Sequence, residues 1–214
     1  MARKKKAVKK EEEKIPKSIR KKEEIYIKIA VIFMLALILS FIAGYFVIKS
    51  MNKFSYKGIS FEKTKLGNSI FYIAKMPLKN ALPLSVYFRE NPKKLERIEG
   101  VKIILTEEVA LAIEKEGMEC PDSLVAGTTL SQYLMKAFNF KTYAATTNKT
   151  DAASKNIPYA RCGPFDSNSI ILFKKANETR IREDNNCYIL EFANCEIMNV
   201  TEKFMIDVYD EMND

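Results

Sequence analysis

The sequence predicts an α+β or α/β head, with helices packed on a mixed sheet and a closing amphipathic helix, carried behind one N-terminal transmembrane helix. Three observations predict it. Twenty uncharged residues, IAVIFMLALILSFIAGYFVI, run from Ile29 to Ile48. Beyond them come short, β-rich, alternating segments that give way to segments of helical period. The closing stretch, CEIMNVTEKFMIDVYDEMN, sets Ile197, Val200, Phe204, Met205, Val208, Tyr209 and Met212 along one helical face.

The apolar run comes first in the chain. At 1.5 Å rise per residue, twenty residues make about 30 Å of helix, the thickness of a bilayer's hydrocarbon core. The run exceeds the roughly 7–15 residues of a signal-peptide core, and no small-x-small cleavage site follows it, so an uncleaved anchor outweighs a secretory signal. The chain then divides into a tail (1–28), a span (29–48) and a head (49–214). Residues 1–28 carry twelve Lys or Arg against five Glu, a net +7 of the chain's +8. Cations this dense keep their flank cytoplasmic, which sends the head across the membrane in type II orientation and makes it extracellular. The tail has too few apolar residues to bury a core and is expected to be disordered, or else helical with a break at Pro16. Its Lys clusters enforce topology and can meet anionic headgroups of the lipid bilayer. Within the span Ala36, Ser40 and Gly44 fall four residues apart, a spacing that lets two helices approach closely and raises a homodimer through the span.

The head follows with 166 residues, enough for one sizeable core. SYKGISFEKT alternates as a strand with Gly58 as a bulge, KLGN (65–68) turns, and SIFYIAKM and LPLSVYFRE run on as strands. Asn91-Pro92 stops the last of these before a short helical turn, KKLERI. VKIIL (101–105) reads as a buried strand. TEEVALAIEKEG reads as a helix from an N-cap at Thr106 to Gly117, and DSLVAGTTLSQYLMKAFN as a second, capped by Asp122. FKTYAAT (140–146) is a strand, and residues 147–168 form a long polar loop. SIILFKK, TRIRE and CYILEF are strands, and the amphipathic helix closes the chain.

All four cysteines, Cys120, Cys162, Cys187 and Cys195, lie beyond the span. An exported domain meets oxidising conditions, so disulfides come first. A strand over 187–192 separates its ends by about 17–20 Å, which argues against joining Cys187 to Cys195 unless Ala193-Asn194 reverses the chain sharply. Cys120 and Cys162 both lie in connections and are the expected pair. Zinc is opposed by spacings of 42, 25 and 8 residues with no CxxC. Free, buried thiols are the remaining alternative.

The search for chemistry returns mostly exclusions. The chain has no His, which removes Ser-His, Cys-His and His-metal designs. It has no glycine-rich phosphate loop and no GxSxG. Ser50-Met-Asn-Lys53 matches SxxK at the membrane exit, where chance is the ordinary reading. The carboxylate pairs Glu107/Glu108, Glu191/Glu196 and Asp207/Asp210 read as solvated charge, and Asp166-Ser-Asn168 and Glu183-Asp-Asn-Asn186 as oxygen-rich turns. No cofactor or metal is expected. Residues 29–214 hold 23 basic and 22 acidic residues, which excludes nucleic acid as a partner of the head. Glycosylation sequons begin at Asn148, Asn177 and Asn199, of which Asn148 and Asn177 are the candidates.

The segments NNCYILEFANCEIMNVTEKF and VYFRENPKKLERI resemble the exported domains of uncharacterised single-pass membrane proteins of archaea. The resemblance implies an anchored, surface-facing domain and brings no site residues. The expected function is therefore a non-catalytic assembly or protein-binding module of the cell envelope, with a protein partner in the membrane or envelope. An anchored surface hydrolase and a ligand-binding sensor are the alternatives. An exposed apolar patch or a bare strand edge marks the assembly module, converging carboxylates in a deep pocket the hydrolase, and a closed apolar pocket the sensor.

Overall fold

The computed structural model describes residues 17–78, 81–163 and 168–213. The chain divides after Met51 into two compact units. The first is one helix, α1 (Lys17–Met51), of 35 residues. Its segment Ile25–Val47 is long and apolar enough to cross a membrane, and none of it is buried against protein. The span thus starts four residues before the expected Ile29, because Ile25, Tyr26 and Ile27 are apolar and Lys28 is the single charge among them. The expectation of a disordered tail is corrected over residues 17–28, which are helical. Adding residues to an existing helix costs far less than nucleating one, and Lys, Arg and Glu are good helix formers. Residues 1–16 of the expected tail lie outside the described residues.

The second unit is α+β and contains two sheets. The first is an antiparallel meander of β1 (Lys53–Tyr56), β2 (Ile59–Leu66), β3 (Ser69–Leu78) and β4 (Ala81–Phe88). Gly58 is no bulge. Lys57 and Gly58 both have positive φ, 48° and 70°, and form a two-residue hairpin loop of the type I′ kind. Gly67, at φ 61°, opens the next hairpin. After β4, Asn91 accepts from the Lys93 N–H at 3.1 Å and starts the expected short turn, a 3-10 helix over Pro92–Arg97.

The second sheet has the order β6-β5-β7-β9-β8. Its strands are β5 (Glu108–Ile113), β6 (Lys141–Ala145), β7 (Ser169–Lys175), β8 (Arg180–Asp184) and β9 (Cys187–Phe192). β8 alone runs antiparallel. β5 overturns the helix expected over Thr106–Gly117. Glu, Ala and Leu favour helix, but Val109, Ala110 and Ala112 are buried between two neighbouring strands, and tertiary pairing outweighs that preference. Thr106 caps nothing. It exchanges bonds with Ser169, whose N–H reaches Thr106 Oγ1 at 2.7 Å, and so fastens the start of β5 to β7. VKIIL forms no strand either. Ile103 is buried, but the Tyr188 hydroxyl accepts from the Ile104 N–H at 2.7 Å and donates to the Ile104 carbonyl at 2.9 Å, and so takes the ladder's place.

Helix α2 (Ser123–Phe138) links β5 to β6. Asp122 makes no side-chain cap and pairs instead with Arg89 at 2.8 Å, which corrects the expected capping. The long polar loop is partly structured: α3 (Lys149–Lys155) forms behind Asn148, whose amide oxygen accepts from the Thr150 and Asp151 N–H groups.

The closing helix α4 (Ile197–Asn213) forms as expected but has no solvated face over its first thirteen residues, Ile197 to Tyr209, apart from half-buried Asn199. It lies beside α2 between the two sheets. Tyr133 of α2 donates to the Met205 carbonyl at 2.8 Å, and the rings of Tyr188 in β9 and Phe204 stand 5.8 Å apart. On the other side Lys57 reaches Asp207, and the Arg89 and Glu90 N–H groups after β4 reach Glu202. One continuous core results, running from Ile59, Phe61 and Phe88 through Leu130 and Phe204 to Ile171 and Leu190. Each such side chain contributes roughly 1.5–3 kcal/mol by its burial. A smaller cluster, Ala110, Ala112, Ile170, Leu172, Cys187 and Ile189, packs on the far face of the second sheet under Ala160 and Cys162.

Candidate binding cleft

Strands β5 and β6 are parallel neighbours, and the chain leaves them toward opposite faces of the sheet. From β5 it passes into α2, on the face covered by the main core. From β6 it passes through α3 to residues 157–163, whose Ala160 and Cys162 cover the far face. Where neighbouring connections part in this way, a crevice opens outside the carboxyl ends of the strands, the place where open α/β sheets bind ligands. Here it is a cleft of about 590 Å³.

Three elements build its walls. Helix α2 supplies Leu124, Gly127, Thr128 and Ser131, one helical face at spacings of three and four. The cap and face of α3 supply Asn148, Asp151 and Lys155. Strand β6 and its exit supply six consecutive residues, Thr142 to Thr147. In a strand only alternate side chains share a face, so an unbroken run means that the cleft meets β6 along its open edge. Leu111, Ile113 and Phe173 give an apolar floor, and the half-exposed Met118 and the exposed Leu124 extend it to the mouth.

Several of the polar groups are already engaged. The Ser131 and Thr142 hydroxyls are 2.6 Å apart, Thr128 Oγ1 donates to the Leu124 carbonyl, and Thr146 Oγ1 accepts from the Asn148 N–H. Asp151 is paired with Lys155 at 3.5 Å. Lys115 is exposed and has no carboxylate partner among the described residues. Among the described residues Asp151 is the one carboxylate of the lining.

The strongly perturbed groups lie around α4, not in the cleft. Glu202 is 1% exposed, and its burial pushes the carboxyl up to about 7 although two backbone N–H groups favour the charged form. Tyr56 is pushed up to about 12, by burial first and then by the charge of Glu96. Burial opposes the charge of Lys57, but Asp210 and Asp207 outweigh it and hold the ammonium above its ordinary range. These groups tie the first hairpin and the exit of β4 to the central helix.

The residues singled out in the sequence are scattered. The disulfides are Cys120–Cys195 and Cys162–Cys187, with Cα separations of 5.5 and 5.3 Å, which corrects the expected Cys120–Cys162 pair. The second sheet stands between those two residues: Cys120 belongs to the core on the helix side and Cys162 to the cluster on the far face. Cys195 follows β9 in a left-handed turn, φ 49° at Asn194 and 58° at Cys195, that swings it toward the end of β5. Asn148 is exposed at the rim of the cleft, and Asn177 is exposed between β7 and β8. Ala36, Ser40 and Gly44 lie in α1, where Ser40 donates to the Leu37 carbonyl and nothing stands within 4 Å of a Cβ placed on Gly44. Ser50 ends up in α1 and Lys53 in β1. Glu191 is clamped by Arg180 and Arg182, Glu196 by Arg97, and Asp207 and Asp210 by Lys57. Among the described residues no group of three or more Cys, Asp or Glu could hold a metal.

The cleft residues Lys115, Thr128, Ser131, Thr142 and Ala144 were not visible as a group in the sequence. Their signal was a strand–helix–strand unit over 108–145, hidden because its first strand carries helix-forming residues. No protein-family model, curated protein or solved structure matches the chain.

Proposed function

We propose that this chain is a bitopic protein of the cell envelope, with its N-terminus in the cytoplasm, and that its exported head is a non-catalytic module that binds a protein partner in the cleft between α2, β6 and α3. The cleft carries the binding part of this reading: it sits at the carboxyl ends of parallel strands and has an apolar floor and an open strand edge. The +7 charge of residues 1–28 supports the orientation, and the two disulfides support an oxidising compartment for the head. The resemblance to anchored archaeal proteins is in keeping with this layout.

Photocrosslinking in native membranes tests it. With p-benzoylphenylalanine at Thr128, a discrete protein adduct is expected that is missing when the same group replaces Lys65, in β2. Equal adduct patterns at the two positions would remove the cleft as the binding site.

A further inference from the structure

The open edge of the cleft points to the chemistry of its occupant, an inference that rests on the cleft being the binding site. β6 is an edge strand. At its start Lys141 turns its N–H inward, to the Glu107 carbonyl beside β5, at 2.8 Å. Just past its end Thr146 turns outward: its N–H donates to the Pro158 carbonyl at 2.9 Å, and its carbonyl accepts from the Ala160 N–H at 2.9 Å. Backbone groups alternate sides along a strand. Tyr143 and Ala145 therefore follow Lys141 toward β5, and Thr142 and Ala144 follow Thr146 toward the open edge. The N–H and C=O groups of Thr142 and Ala144 have no backbone partner among the described residues.

Helix α2 flanks that edge with a face of Leu124, Thr128 and Ser131. A strand laid about 4.8 Å from β6 would send alternate side chains toward this face and the apolar floor. It could not run on past Thr146, where residues 158–160 already pair, so the site fits a segment of about five residues. The charges of the rim also select. Lys155 is paired with Asp151 at 3.5 Å, which leaves Lys115 as the lining cation with no carboxylate partner among the described residues.

We infer that the cleft binds a short extended segment of a partner protein, which adds as a strand to β6 through the backbone of Thr142 and Ala144, with apolar side chains at every second position and a carboxylate beside Lys115.

The test uses the full chain in nanodiscs with both disulfides intact. The probe is a fluorescein-labelled library of short peptides that alternate Val, Ile or Tyr with Ser and end in Glu, read by anisotropy. Its companions carry N-methyl groups on alternate amides, in both registers, or end in Lys. The library is expected to bind, and methylation in one register is expected to weaken it roughly tenfold or more. Lys115→Glu is expected to favour the Lys-ending library. Ala144→Pro, tolerable where an edge N–H faces outward, is expected to weaken binding roughly tenfold. Equal binding of the methylated and parent libraries in both registers would overturn strand addition and leave the cleft as a side-chain site. Failure of every library, with the Thr128 adduct retained, would overturn it likewise. Loss of both peptide binding and adduct would bring down the cleft itself as the binding site. A dimer of the chain that Ala144→Pro dissolves would show that the edge takes a second copy and would overturn the partner-protein assignment.

Discussion

Glu202 shows how much a single residue can depend on its surroundings. It lies in α4 at 1% exposure, yet its carboxylate accepts from the Arg89 N–H at 2.6 Å and the Glu90 N–H at 3.1 Å. Burial dominates and raises its folded pKa from 4.5 to about 7. Between those values the folded chain keeps a proton that the unfolded chain has lost. The contribution is therefore complete below pH 4.5 and disappears as the pH rises through about 7. Thermal melts from pH 5 to 8 should show a decline on the order of 3 kcal/mol that Glu202→Gln flattens. Parallel pH profiles for the two proteins would refute the assignment. Gly100 has a packing role in the same region. A Cβ there would lie 2.7 Å from Asp207 Oδ2 and 3.2 Å from Lys203 Nζ, inside a buried ion pair. Gly100→Ala should lower stability by about 1–3 kcal/mol, and an unchanged melting temperature would show that the pair gives way freely. Neither effect was legible in the sequence, where Asp207 reads as solvated charge and the closing helix shows only its apolar face. A helical period shows which residues share a face. It does not show that a second sheet covers the opposite one.

At the scale of elements, the sequence told most where a segment's own preference agreed with its neighbours. Span, the hairpin turning at Gly67, β7, β9 and α4 all appear close to their expected places, whereas the hairpin at Lys57-Gly58 lay hidden in what reads as one strand. It failed at β5, which has helix-forming residues and becomes a strand only because β6 and β7 flank it. That one error hid the strand–helix–strand unit and with it the cleft. The disulfides also depended on tertiary placement, since the order of the sheet decides which connections meet. Cys162–Cys187 spans 25 residues and Cys120–Cys195 spans 75. Closing such loops in the unfolded chain implies about 3.5 and about 4.5 kcal/mol respectively. Replacing each pair by Ser should therefore lower stability in both cases, and by about 1 kcal/mol more for Cys120 and Cys195. Urea titration measures the difference, and a larger loss from the Cys162 and Cys187 pair would show that loop length does not govern it.

For the whole molecule, the proposal is an asymmetric chain: cations at one end, an apolar helix, then an oxidised domain with nearly balanced charge. Composition made the long apolar helix legible because a run of that length needs no packing detail, and the proposed orientation rests on the charge bias beside it. The binding chemistry was not legible, because it rests on two residues of one strand edge. The layout is what the proposed function stands on, since a head on the cytoplasmic side would meet neither an envelope partner nor oxidising conditions. Proteinase K added to intact cells, followed by mass spectrometry of carbonate-washed membranes, tests it most directly. Peptides from Asn52–Asp214 are predicted to disappear while those of residues 1–28 remain with the membrane. Head peptides that survive until the cells are lysed, or a chain that leaves with the carbonate wash, would contradict it.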